Sequence, residues 1–159
     1  LQAKAQTAGQ ALSAMERERL DLLVSRRVQR YLDAGTGACH LAKPAVAEIV
    51  AGALRHFDGQ RYHLYAWCLM PNHVHVVMQP LAPHTLAAIL QSWKSFTSKQ
   101  VQPLLKSEGP FWRREYYDHV IRNEEALWRI ITYVAENPLK VSLLDWPWVW
   151  VGIPQDERL

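Results

Sequence analysis

Cysteine is scarce. Cys39 and Cys68 are the chain's two thiols, far apart and without a CxxC pairing, which argues against a disulfide framework and a cysteine-rich zinc site. Both read as core or near-core thiols. No apolar run approaches the roughly 18 residues that a membrane span requires. The first residues also lack the basic, apolar and small-residue order of a secretory leader, so a cytoplasmic protein without membrane association is expected. Neither an internal repeat nor a low-complexity tract is present, which argues against solenoids and unstructured linkers. Charge of either sign is close to balanced, with 18 Lys and Arg against 15 Asp and Glu, a net charge of +3 and a pI near 9.0. Such a balance suits a polyanionic partner without requiring one. What the chain does have is a hydrophobic content of 49% over 159 residues, enough for one globular domain with a real core and too little for two. A single domain spanning 1–159 is expected, with its core at about 31–150. The chain opens on Leu1 rather than Met, as a fragment or trimmed product would.

Hydrophobic periodicity divides the chain into elements. Leu20, Leu23, Val24, Val28, Tyr31 and Leu32 recur at helical spacing within Ser13 to Asp33, with Gly35 and Gly37 as a stop. A second helix is expected from about Lys43 to Phe57, ended by the turn pair Asp58-Gly59. Tyr62 to Leu69 and His73 to Met78 read as two strands joined by a tight turn at Pro71-Asn72. Leu86, Ile89, Leu90, Trp93, Phe96 and Val101 predict a long amphipathic helix that ends near Pro103. Glu115 to Ile121 is rich in β-favouring residues and is expected to be a strand. Asn123 is placed to cap a last helix carrying Leu127, Ile130, Ile131 and Val134, which stops at Asn137 because Pro138 disfavours helix there. The Trp-rich stretch Trp146 to Trp150 is expected to pack back on the body. This order fits an α+β fold with an antiparallel sheet and flanking helices, and one further strand before Leu1 would complete a ferredoxin-like plan.

Two features carry chemistry. Alternate strand residues point to one face, so His73 and His75 present two imidazoles side by side while Val74 and Val76 turn the other way. Neutral imidazole binds divalent cations, yet on spacing alone the pair reads more readily as structural or merely exposed histidines. On the last helix Tyr133 and Asn137 lie four residues apart and share a face. A helix tyrosine is ordinarily packing, so the combination matters more than either part.

The run Trp67-Cys68-Leu69-Met70-Pro71-Asn72-His73-Val74-His75, the block Phe111 to Arg122 and the segment Tyr133-Val134-Ala135-Glu136-Asn137-Pro138 together resemble the REP-associated tyrosine transposases. These form a branch of the HUH single-tyrosine, insertion-sequence-200-like enzymes, and the resemblance covers roughly Tyr31 to Trp150. It implies a ferredoxin-like domain in which His73 and His75 bind Mg2+ or Mn2+, Asn137 completes the metal shell and Tyr133 attacks a DNA phosphate. The implied activity is that of a transposase, a single-stranded DNA endonuclease and strand transferase that works through a 5′-phosphotyrosine. Its implied partner is single-stranded or hairpin DNA of repetitive extragenic palindromes, met as a monomer or homodimer.

Softer candidates surround these. Lys94, Lys99, Arg113, Arg114 and Arg122 are candidates for DNA phosphate contact, and Trp112, Tyr116 or Tyr117 for base stacking. Tyr116 and Tyr117 also compete with Tyr133 as nucleophile. Two rival functions stay open: a host-adopted palindrome-binding protein that no longer transposes, and a small metallohydrolase drawing further ligands from His63, Asp118 or His119.

Overall fold

The computed structural model describes residues 37–152, which all fall in one compact unit, Gly37–Leu159. The helix expected within Ser13 to Asp33 lies outside the described residues. After a short 3-10 turn at His40–Ala42 the elements run α1 (Pro44–His56), β1 (Tyr62–Met70), β2 (His73–Pro80), α2 (Leu86–Val101), α3 (Glu124–Lys140) and β3 (Val149–Val151). The sheet is three-stranded and antiparallel, in the order β2-β1-β3. The α+β class with an antiparallel sheet and flanking helices is therefore present.

Local chemistry sets the boundaries. Pro44 opens α1, where its missing N–H costs no helical bond. Gly59 takes a positive φ of 79° in the turn after α1, and its N–H donates to Tyr62 O at 2.7 Å, bringing the chain into β1. Thr85 caps α2 by accepting from Ala88 N, and Asn123 caps α3 by accepting from Ala126 N at 2.8 Å. Glu124 and Glu125 occupy the first turn of α3, where the helix dipole favours them.

Being central, β1 is covered on both faces. Leu64, Trp67 and Leu69 pack with Val46, Val50 and Leu54 of α1 and with Ile89 and Trp93 of α2. Tyr65, Ala66, Cys68 and Met70 pack with Leu127, Ile131 and Val134 of α3. The register slips between Leu64 and Ala66, which makes Tyr65 an extra residue in β1 that β2 does not match. Through this bulge Tyr65 and Ala66 both serve the α3 side. A hydrogen-bond chain ties the α1/α2 layer together. Trp112 Nε1 donates to Thr97 Oγ1 at 2.7 Å, and that hydroxyl donates to Trp93 O. Trp93 Nε1 donates to the Tyr62 hydroxyl, which donates to Leu54 O.

Two boundaries differ from expectation. Residues 115–121 form no strand. Tyr116, Tyr117 and Val120 are 48%, 63% and 70% exposed, so the segment buries neither of two alternating faces. The place beside β1 belongs instead to β3, from the Trp-rich stretch. That stretch packs back as expected: Leu69 N donates to Trp148 O, and Trp146 Nε1 donates to Leu69 O at 2.7 Å. The second difference is that α3 continues through Pro138 to Lys140. Proline in the last turn forfeits one backbone bond, and its cost is small where the helix is about to end. The Pro138 carbonyl then accepts from Val141 and Leu143, closing the terminus.

Candidate active site

The β1–β2 register decides which way the two histidines face. His73 pairs with Met70, His75 with Cys68 and Val77 with Ala66, and directly opposed residues share a face. Met70, Cys68 and Ala66 all lie on the α3 side, so both imidazoles turn toward α3. Val74, Val76 and Met78 pack into the opposite layer.

The imidazoles converge. Their Nε2 atoms are 2.9 Å apart, with the rings at 85°. Asn72 Oδ1 lies 2.7 Å from His73 Nδ1, and since a carbonyl oxygen only accepts, that nitrogen carries the proton. His73 Nε2 is thereby left as a lone pair, the arrangement found when a second partner orients a ligating histidine. Burial pushes the pKa of His75 down to about 3, helped by His73 and Lys140, so this ring is neutral at physiological pH.

Tyr133 meets this pair from α3. Its ring stands edge to face with His75, centroids 5.7 Å apart. One helical turn on, Asn137 is 1% exposed, and neither its Oδ1 nor its Nδ2 has a hydrogen-bond partner. His63 Nδ1 and Trp67 Nε1 are also unpaired, but each is a single nitrogen, whereas Asn137 leaves an entire carboxamide unsatisfied. A buried polar group in that condition is costly and calls for a reason. Two inward imidazole nitrogens and an unsatisfied carboxamide oxygen are a donor set suited to a hard or borderline divalent cation, so the residues present fit one.

Other neighbours are now defined. Lys140, two turns beyond Tyr133 on the same face of α3, holds its Nζ 3.8 Å from the Tyr133 ring centroid. It went unnoticed in the sequence because a helix ending at Asn137 does not include it; heptad spacing from Tyr133 was the available signal. Cys68, opposite His75, is buried with its thiol pushed up to about 12, so it stays protonated and is no thiolate ligand.

The softer candidates lie elsewhere. Tyr116 sits over Lys94 at 5.7 Å rather than at the histidines. Lys94, Arg113, Arg114 and Tyr116 line a groove of about 870 Å³ between α2 and residues 110–116. Lys94 Nζ donates to Arg113 O at 2.8 Å and so holds that wall in place. Lys99 and Arg122 are exposed and outside the groove. Among the described residues no three His, Cys, Asp or Glu side chains gather as a metal site, so Asp118 and His119 do not join the histidine pair in one.

A family profile described as "Transposase IS200 like" matches residues 41–137, which contain the paired strands, both histidines and the Tyr133 face of α3. The chain belongs to the IS200-like transposases. Among relatives of this IS200-like protein, a protein of Haemophilus influenzae named as a REP-associated tyrosine transposase is 25% identical over 101 residues. That match covers 55% of this chain and 57% of the relative, so the chain spans little more than half of the relative's length. A solved structure described as a REP-associated tyrosine transposase bound to a REP hairpin superposes with a TM-score of 0.52 at 19% identity. It covers 71% of this chain and 75% of the other, and establishes likeness of fold. No described helix of this IS200-like transposase is long and apolar enough to cross a membrane.

Proposed function

We propose that this protein nicks and rejoins single-stranded DNA beside hairpin-forming palindromes, with Tyr133 as nucleophile. The observation that carries the reading is the edge-to-face seating of Tyr133 on His75, within a site whose other members are an Nε2-to-Nε2 histidine pair and the unsatisfied Asn137. Family membership supports the reaction class, and the hairpin named in the structural neighbour's description supports the substrate.

In the reaction Tyr133 Oη bonds to the phosphorus, the bond from phosphorus to the 3′ oxygen breaks, the phenolic proton is released and the 3′ oxygen departs as a hydroxyl. The diester is conserved as a 5′-phosphotyrosyl link, so another 3′-hydroxyl can reverse the step and join strands without a nucleotide cofactor. His73, His75 and Asn137 would hold Mg2+ or Mn2+, which when bound supplies positive charge to the phosphate and the departing oxygen. The chain's own contribution is positional. His75 stays neutral because it is desolvated, so no imidazolium charge opposes a cation at the pair. Its ring also fixes the tilt of Tyr133, while Asn72 fixes His73.

The test incubates the protein and Tyr133→Phe with labelled single-stranded hairpin DNA, with and without Mg2+ or Mn2+, on a denaturing gel. A metal-dependent adduct that disappears in the folded Tyr133→Phe variant is expected. An adduct of undiminished yield in that variant would sink the nucleophile assignment. Binding without any adduct from the unaltered protein would instead indicate a palindrome-binding protein that has lost the chemistry.

A further inference from the structure

We propose that Lys140 is the phosphate-holding cation of this site, contacting a non-bridging oxygen of the diester that Tyr133 attacks and of the phosphotyrosyl diester that follows. The inference rests on the nicking reading above and adds a residue to it.

Lys140 is an exposed residue in the last turn of α3. A lysine there needs no special reason, because the helix dipole favours a cation at the C-terminal end. Such a lysine would extend into water, where its ammonium is best hydrated. Lys140 instead folds back along the helix and places Nζ 3.8 Å from the Tyr133 ring centroid, within cation–π range. Positions 133, 137 and 140 fall on one helical face, so the nucleophile, the unsatisfied carboxamide and the ammonium stand in a row.

The electrostatic need is specific. The diester carries one negative charge that grows more concentrated on its non-bridging oxygens as Tyr133 Oη approaches, and a cation beside Tyr133 meets that charge where it develops. The phosphorus becomes bonded to Oη of the same ring whose centroid the ammonium already approaches to 3.8 Å, so the cation stands beside the reacting group. Lysine suits the task as a compact point charge with rotatable donors. The same contact persists through the covalent stage, because bond exchange at phosphorus preserves the diester's charge. That gives Lys140 a role in both cleavage and rejoining.

The decisive variants are Lys140→Met, which retains an unbranched stem over Tyr133 and removes the charge, and Lys140→Arg, which keeps the charge. Adduct formation is timed under single-turnover conditions with saturating single-stranded hairpin DNA and Mg2+ or Mn2+, with affinity measured by anisotropy and folding by thermal melting. Lys140→Met is expected to slow adduct formation about tenfold or more while changing Kd less than about threefold, and Lys140→Arg to restore most of the rate. Its melting temperature is expected to stay near that of the unaltered protein, which separates a phosphate contact from a dipole contribution to stability. An unchanged rate in Lys140→Met, or equal slowing in Lys140→Arg, would overturn the assignment. An unaltered protein that forms no adduct would remove the nicking reading itself, and this role with it.

Discussion

Asn137 is the residue at which stability and chemistry pull apart. Its carboxamide is buried with neither polar atom paired, and an unsatisfied buried group costs about 1–3 kcal/mol. Leucine has a similar volume and no such penalty. Asn137→Leu is therefore expected to raise the melting temperature of the protein in chelator, by an amount worth about 1 kcal/mol or more, and to lack the stabilisation by Mg2+ or Mn2+ that the proposed site predicts for the unaltered protein. Thermal melts of both proteins with and without metal check this, and a Leu variant that melts lower in chelator would show that the amide is satisfied after all. Such a site follows a general pattern, in which a polar group left unsatisfied by the fold marks the place where a ligand is to come.

At the scale of elements, β1 is tied from the side by the Trp-rich stretch. Trp146 Nε1 donates to Leu69 O, in the strand that holds the pairing partners of both histidines. Trp146→Phe keeps the ring and deletes the bond, with an expected loss of about 0.5–1.5 kcal/mol in denaturant unfolding; no loss would mean that water replaces the indole at Leu69. What was legible in the sequence follows from periodicity. The alternation through His73–Val74–His75–Val76 fixed both the strand and the facing of its side chains, and the three- and four-residue spacing of Leu127, Ile131 and Val134 fixed the face of α3. The segment 115–121 misled because β-favouring residues express a preference that only a neighbouring strand can satisfy, and β3 holds that neighbouring place. Lys140 stayed hidden for a related reason. Proline's cost in a helix depends on how many turns follow it, and at Pro138 less than one does. Nor could sequence alone reveal the bulge at Tyr65, since both of its flanks are apolar and either phase looks acceptable.

For the whole molecule, His75 couples the site to folding. Its pKa falls from 6.5 in the unfolded chain to about 3 when folded, so between those values the unfolded state binds the extra proton. Its contribution to stability is complete above pH 6.5 and declines as the pH is lowered through that window, by at most about 1.4 kcal/mol per pH unit. The metal-free protein is expected to lose stability from pH 6.5 downward, and His75→Gln to flatten that dependence. Urea titrations across the range check it; an equally steep loss in the variant would move the cause to other groups.

The sheet also acts as a partition. Tyr133 and the histidines lie on its α3 side, while the groove walled by Lys94, Arg113 and Arg114 adjoins α2 on the other. The sheet and the α2 layer stand between the two, and among the described residues no side chain lining the groove is a member of the histidine site. Heritable change on one side thus leaves the other largely undisturbed. On the proposed reading, a lineage can rework the α2 surface step by step under a constant cutting chemistry, or silence the proposed cut with one substitution at Tyr133 and keep the remaining body intact.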